Sequence, residues 1–137
     1  MYQRRFAAAL VSGALLTSGA LAATPAEMQQ QFETAARAAD PAFKGLSAAR
    51  GERLFNSTHG NDWSCASCHT STPNRPGRHA KTGKEIAPMA PAANAQRFSD
   101  AAKVEKWFKR NCNDVLGRAC TAQEKGDVLA YLLSFGK

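Results

Sequence analysis

Five consecutive residues, Cys65-Ala66-Ser67-Cys68-His69, concentrate the chemistry of this chain. The pattern is C-x-x-C-H: two thiols about one helical turn apart, with an imidazole directly behind the second. That spacing lets both thiols add across the two vinyl groups of one haem as thioethers, while the histidine reaches the iron through a ring nitrogen. Other uses of two cysteines fit less well. A zinc site needs a second pair of ligands, and His59, His79 and the distant cysteines are poorly spaced for that. A thioredoxin-type redox motif needs a β-α-β setting, of which the sequence carries no sign. A plain disulfide has no use for His69.

An iron held on one side by His69 leaves the opposite position to be assigned. Met89, in Pro88-Met89-Ala90-Pro91, suits the thioether role of an ordinary electron carrier, or packs on the haem edge as a soft gap-filler. His59 and His79 would make a bis-histidine site, although both stand in polar loops. Asn111 is the fourth candidate. It lies seven residues beyond Val104 and stays on that residue's helical face if the helix lasts so far; otherwise Asn111 caps the helix C-terminus, a common place for asparagine. An amide aimed into a core is costly unless it meets a partner.

Two cysteines remain, Cys112 and Cys120. In an oxidising compartment such a leftover pair forms a disulfide, and a loop this short stabilises by about 2.5 kcal/mol on the chain-entropy model. The oxidising compartment is itself read from the start of the chain. Arg4 and Arg5, the apolar stretch Phe6 to Leu16 and the small-x-small exit Ala20-Leu21-Ala22 form a cleavable signal peptide over residues 1–22. Removing it leaves residues 23–137, a single periplasmic domain of 115 residues with net charge +5.

The elements that must position these groups read as helices. Glu27 to Ala39 forms an accessory helix with Met28 and Phe32 on one face, ended by Pro41. Ser47 to Phe55 forms a second, and Gly51 inside it marks the close approach of another backbone. Asp100 to Arg110 is amphipathic, with Ala101, Val104, Trp107 and Phe108 on one side and Lys103, Lys106, Lys109 and Arg110 on another. Thr121-Ala-Gln-Glu124 is a capping box that opens the last helix, which runs to Phe135. No period-2 strand stands out, so the fold class is all-α. Thr70 to Ala95 reads as a long loop with four prolines, acceptable in so small a domain if it wraps a large buried group. Large apolar side chains are few for 115 residues, and a haem would fill the missing core.

Gly51, Phe55, the C-x-x-C-H motif, Val128 and Tyr131 resemble the class I cytochromes c. That resemblance implies N- and C-terminal helices crossed at the glycine around one covalent haem c, here with an extra N-terminal helix. A more specific likeness covers most of the chain from Gly51 onward. Thr82-Gly-Lys-Glu-Ile-Ala-Pro88, Arg97-Phe98, Val104-Glu-Lys-Trp107, Arg110-Asn-Cys-Asn113, Gly117-Arg118 and Cys120-Thr121 are similar to the SHP-type (sphaeroides haem protein) cytochromes c. The pattern of that family has an aliphatic residue where Met89 stands.

The resemblance implies covalent haem at Cys65 and Cys68, His69 and Asn111 as axial ligands, and a Cys112–Cys120 disulfide. It further implies that the asparagine leaves on reduction, so that ferrous haem can bind oxygen or nitric oxide. A diheme cytochrome c and a membrane cytochrome b are the implied electron donors. An ordinary His/Met carrier using Met89 is the first alternative; a reductase of oxygen, peroxide or nitric oxide is the second. Nucleic acid is not an expected partner, because the protein is exported and its charge excess is modest.

Overall fold

The computed structural model describes residues 22–136, so the expected leader lies outside the described residues apart from Ala22. Among the described residues five helices run in the order α1 (Pro25–Ala39), α2 (Ala48–Asn56), α3 (Ala66–His69), α4 (Ala101–Leu116) and α5 (Ala122–Leu133), with a closing 3-10 turn at Ser134–Gly136. Helix α1 starts before Glu27, because Thr24 and Glu27 form a capping box. The Thr24 hydroxyl accepts from Glu27 N at 3.2 Å, and Thr24 N donates to the Glu27 carboxylate at 2.7 Å. Pro25 takes the first helical position, where its missing N–H costs nothing. Helix α5 opens on the second box, Thr121 with Glu124.

Helices α2 and α5 cross at Gly51. A Cβ there would collide with the carbonyl of Asp127 and the amide of Val128, so only glycine permits this approach. One residue earlier, Arg50 reaches over the crossing. Its Nε and Nη2 donate to the Asp127 carboxylate at 2.7 and 3.0 Å, and Ser47 N donates to the same carboxylate at 2.6 Å. Asp127 is buried, and its charge is met by these donors as a buried charge requires. Phe55, Leu129, Leu132, Val128 and Tyr131 build the core beneath the crossing, and α1 adds Met28 and Phe32.

Two features depart from the helix-only expectation. Residues 77–86 form a small antiparallel hairpin, with β1 (Gly77–Arg78) paired to β2 (Glu85–Ile86) and Gly77 opposite Ile86. Strands of two residues are too short to leave an alternating pattern in the sequence. Helix α4 also runs past Arg110 to Leu116 and stops at Gly117, whose φ of +68° gives a left-handed end. Asn111 is therefore interior to the helix, and the capping role belongs to Gly117.

The expected apolar face of α4 is corrected as well. Val104, Cys112 and Val115 are buried and Phe108 is half-buried, whereas Ala101 is exposed and Trp107 keeps 50% of its surface. At 100° per residue the buried stripe is centred between Val104 and Phe108, which packs edge-on against Phe32 at 5.7 Å. Trp107 falls on its flank, under the Arg110 guanidinium at 5.2 Å. Among the described residues no helix is long and apolar enough to cross a membrane.

Candidate haem-binding site

Two serines hold the cysteine pair in place. Ser64 N donates to Ser67 Oγ at 2.9 Å, and Ser67 N donates to Ser64 Oγ at 3.1 Å. These reciprocal bonds bracket the start of the single turn of α3, which sets Cys65 and Cys68 one turn apart and His69 at its end. Both cysteines are half-buried and unpaired. Burial pushes the Cys65 thiol up to about 11, so it stays neutral at physiological pH. The Cys68 Sγ accepts from Ala80 N at 3.4 Å, tying the motif to the hairpin. Gly77 lies so close to the Cys68 carbonyl and His69 Cα that a side chain there would collide with main chain.

His69 faces Phe55, with ring centroids 6.3 Å apart. Its Nδ1 is buried and has no hydrogen-bond partner among the described residues. Burial, helped by the positive charge of Arg97, lowers the imidazole to about 4. The ring is thus neutral at pH 7, the form that ligates a metal. Two free thiols one turn apart and an orphaned, neutral, buried imidazole are a donor set that fits haem c.

The remaining candidates separate clearly. Asn111 sits in the third turn of α4, half-buried, at the edge of the buried stripe and on the side of Trp107. Its amide is not one of the buried polar atoms left without a partner, a place that His69 Nδ1 alone takes among the described residues. The next residue, Cys112, is joined to Cys120 in a disulfide with Cα atoms 5.6 Å apart. Met89 is half-buried against the core cluster, and its main-chain N donates to Pro73 O at 2.8 Å. His59 and His79 are exposed and occupied locally. His59 Nε2 meets Leu54 O at 3.0 Å, and His79 Nδ1 accepts from Lys81 N and Thr82 N at 3.3 and 3.2 Å.

Arg97 had no sequence signal beyond its place in the resemblance string. Its Nε donates to Pro88 O at 2.9 Å and its Nη2 to Ala87 O at 2.7 Å. The guanidinium clamps the strip that carries Met89, and Pro73 O holds the same strip by accepting from Met89 N and Ala90 N. Its partners are main-chain carbonyls, which no side-chain pattern reveals. The adjoining Phe98 is buried at φ +60°, a left-handed conformation that an aromatic residue rarely adopts.

Comparison with known proteins fixes the family. A family model described as "Domain of unknown function (DUF1924)" matches residues 41–132. The chain is 46% identical over 129 residues to cytochrome c-type protein SHP of Cereibacter sphaeroides, covering 90% of this chain and 95% of that one. The solved structure of oxidised SHP, described as an oxygen-binding cytochrome c, superposes with a TM-score of 0.72 at 45% identity, covering 81% of this chain and 96% of that chain. The solution structure of cytochrome c'' from Methylophilus methylotrophus, which addresses haem-ligand detachment, gives a TM-score of 0.73 at 38% identity over 82% and 94% of the two chains. With its helices crossed at Gly51 and its C-x-x-C-H turn, this chain belongs to the SHP family of monohaem cytochromes c and carries one covalent haem c.

Proposed function

We propose that this protein is a periplasmic monohaem cytochrome c whose Asn111 ligand leaves on reduction. Cys65 and Cys68 would hold the haem through thioethers, and His69 would supply a ring nitrogen to its iron. The haem contributes a one-electron couple and, once ferrous, an open position for a diatomic ligand such as oxygen or nitric oxide. Electrons come from another cytochrome: a diheme cytochrome c and, behind it, a membrane cytochrome b.

The observation that carries this reading is the setting of Asn111. It is a half-buried amide inside an unbroken helix, next to a disulfide, at the edge of a buried stripe. An amide oxygen is a hard, neutral, weak donor, so it favours ferric over ferrous iron. On a ferrous iron its hold would therefore be weaker, whereas that of a methionine thioether would be stronger. Val104 and Phe108 limit the approach of water to that side, and the disulfide keeps the turn beyond Asn111 fixed while the side chain swings. The oxygen-binding description of SHP and the ligand detachment studied in cytochrome c'' support the reading.

Absorption spectra of two variants test it. Asn111→Ala opens the ferric site while leaving the fold and covalent haem intact, and Met89→Leu changes little. In the wild type, reduction gives a high-spin ferrous spectrum and rapid carbon monoxide binding. A low-spin ferrous spectrum that survives Asn111→Ala but is lost in Met89→Leu would make the protein a simple His/Met carrier. Steady consumption of oxygen, peroxide or nitric oxide with a cytochrome donor would identify a reductase instead.

A further inference from the structure

We propose that Asn61 is a positioning residue for Asn111: its side chain joins the loop that leads into the C-x-x-C-H turn to the last turn of α4, and so fixes the helix that presents the amide. The proposal rests on the reading of Asn111 as the ferric sixth ligand.

The joint is a hydrogen bond between residues 54 positions apart, with Asn61 Nδ2 donating to Val115 O at 2.8 Å. Val115 is among the last four residues of α4, whose carbonyls have no partner within a helix. It is also buried, so an unmet carbonyl there would be costly. Asn61 supplies the donor that this helix end requires. Val115 lies one turn beyond Asn111 and three residues beyond Cys112, so what holds its carbonyl steadies the turn that carries both.

The near end of this strut is fixed as well. His59 and Gly60 have φ of +48° and +87°, as the two central residues of a type I′ turn do, and Asn61 N closes that turn on Thr58 O at 2.9 Å. His59 Nε2 meets Leu54 O at 3.0 Å, which ties the turn to the last turn of α2. Three residues after Asn61, Ser64 is buried, and its bonds with Ser67 bracket the start of α3. The amide therefore reaches α4 from a backbone set by its own bonds rather than from a loose loop.

The disulfide does not duplicate this. Cys112–Cys120 fastens α4 to a residue eight positions further along, at the head of α5. Asn61 fastens the same helix end to the segment that carries Cys65 and Cys68. A weak ligand binds best when its donor is held in place beforehand, because ordering it at the moment of binding costs free energy. Asn111 needs that holding relative to the haem attachment, and Asn61 bridges those two segments.

Azide titration of the purified ferric holoprotein tests this. Azide reaches the iron only in the fraction of molecules from which Asn111 has left, so its apparent affinity reports that fraction. Asn61→Ala raises the apparent azide affinity about fivefold, as the loss of one hydrogen bond implies. The carbon monoxide affinity of the ferrous protein, where Asn111 is already away, stays at the wild-type value; a general loosening of the fold would move both. In an Asn111→Ala background, Asn61→Ala adds nothing. Should Asn61→Ala not yield holoprotein, Asn61→Asp takes its place with the same outcomes expected, since it keeps the shape and exchanges the donor for an acceptor.

An azide affinity unchanged by the Asn61 variant, or raised equally with and without Asn111, would overturn the proposal while leaving Asn111 as the ligand. A carbon monoxide affinity that changes as much as that for azide would do the same. An azide affinity unchanged by Asn111→Ala alone would instead end the reading of Asn111.

Discussion

The α2–α5 crossing and helix α4 are held by opposite means. At the crossing, backbone meets backbone through Gly51, and a buried carboxylate collects three donors from Ser47 and Arg50. Helix α4 has no such contact. It is fixed by side chains: Phe108 against Phe32, Glu105 paired with Lys125 at 2.6 Å, Asn61 donating to Val115 O at 2.8 Å, and the disulfide at Cys112. A main-chain lock suits the half of the molecule that carries the permanent attachment. Side-chain fastenings suit a helix whose ligand, in the function proposed here, has to let go.

The largest effect should come from filling the crossing. Gly51→Ala puts a methyl into the Asp127 carbonyl, and because backbone cannot yield as a side chain can, the loss should reach about 3 kcal/mol or more. Chemical denaturation of the holoprotein measures it; a change below about 1 kcal/mol would mean that the helices do not touch there.

On the other side, replacing Cys112 and Cys120 together by serine should lower stability by about 2.5 kcal/mol, as expected for a loop closed across eight residues. It should leave the crossing intact, so the far-UV spectrum stays helical while the melting temperature falls. On the proposed ligation it should also loosen the ferric sixth ligand, which an ordinary structural bridge would not do.

The smallest effect concerns the link between the end of α4 and the start of α5. Arg118 Nη2 binds the Glu124 carboxylate at 2.7 Å, and that pairing, with the Thr121 cap, holds the Glu124 carboxyl below its ordinary pKa. A carboxyl lowered on folding stabilises the native state above its unfolded pKa, and the contribution fades as pH falls through the folded value. Glu124→Gln should thus cost below about 1 kcal/mol at pH 7, and the melting temperatures of variant and wild type should converge as the solution is acidified into and below the ordinary carboxylate range. A gap that widens on acidification would remove this pair from the account.

The comparison also explains what could be read in advance. Gly51 with Phe55, and Thr121 with Glu124, are local signatures with one physical meaning each, so the crossing and the start of α5 were visible in the chain. Thr24 with Glu27 carries the same capping signal and marks the start of α1. The run of α4 past Arg110 was harder, because Asn111, Cys112 and Asn113 are indifferent helix formers and the decisive stop, Gly117, lay beyond them. The hairpin left no alternating pattern because its strands are two residues long, and the Arg97 clamp left none because its acceptors are main-chain carbonyls. Trp107 lies outside the buried stripe: periodicity gives a direction around the helix but not the width of that stripe.

The crossing has a consequence for how the chain acquires its shape. Arg50 and Asp127 meet although 77 residues separate them. Closing a loop of that length costs about 4 kcal/mol in chain entropy before any contact repays it. The helices themselves form far faster than this long-range encounter. Because Asp127 lies in α5, the lock at the crossing forms only once α5 has joined α2. The C-x-x-C-H segment lies wholly within that loop, between the two helices that the contact joins.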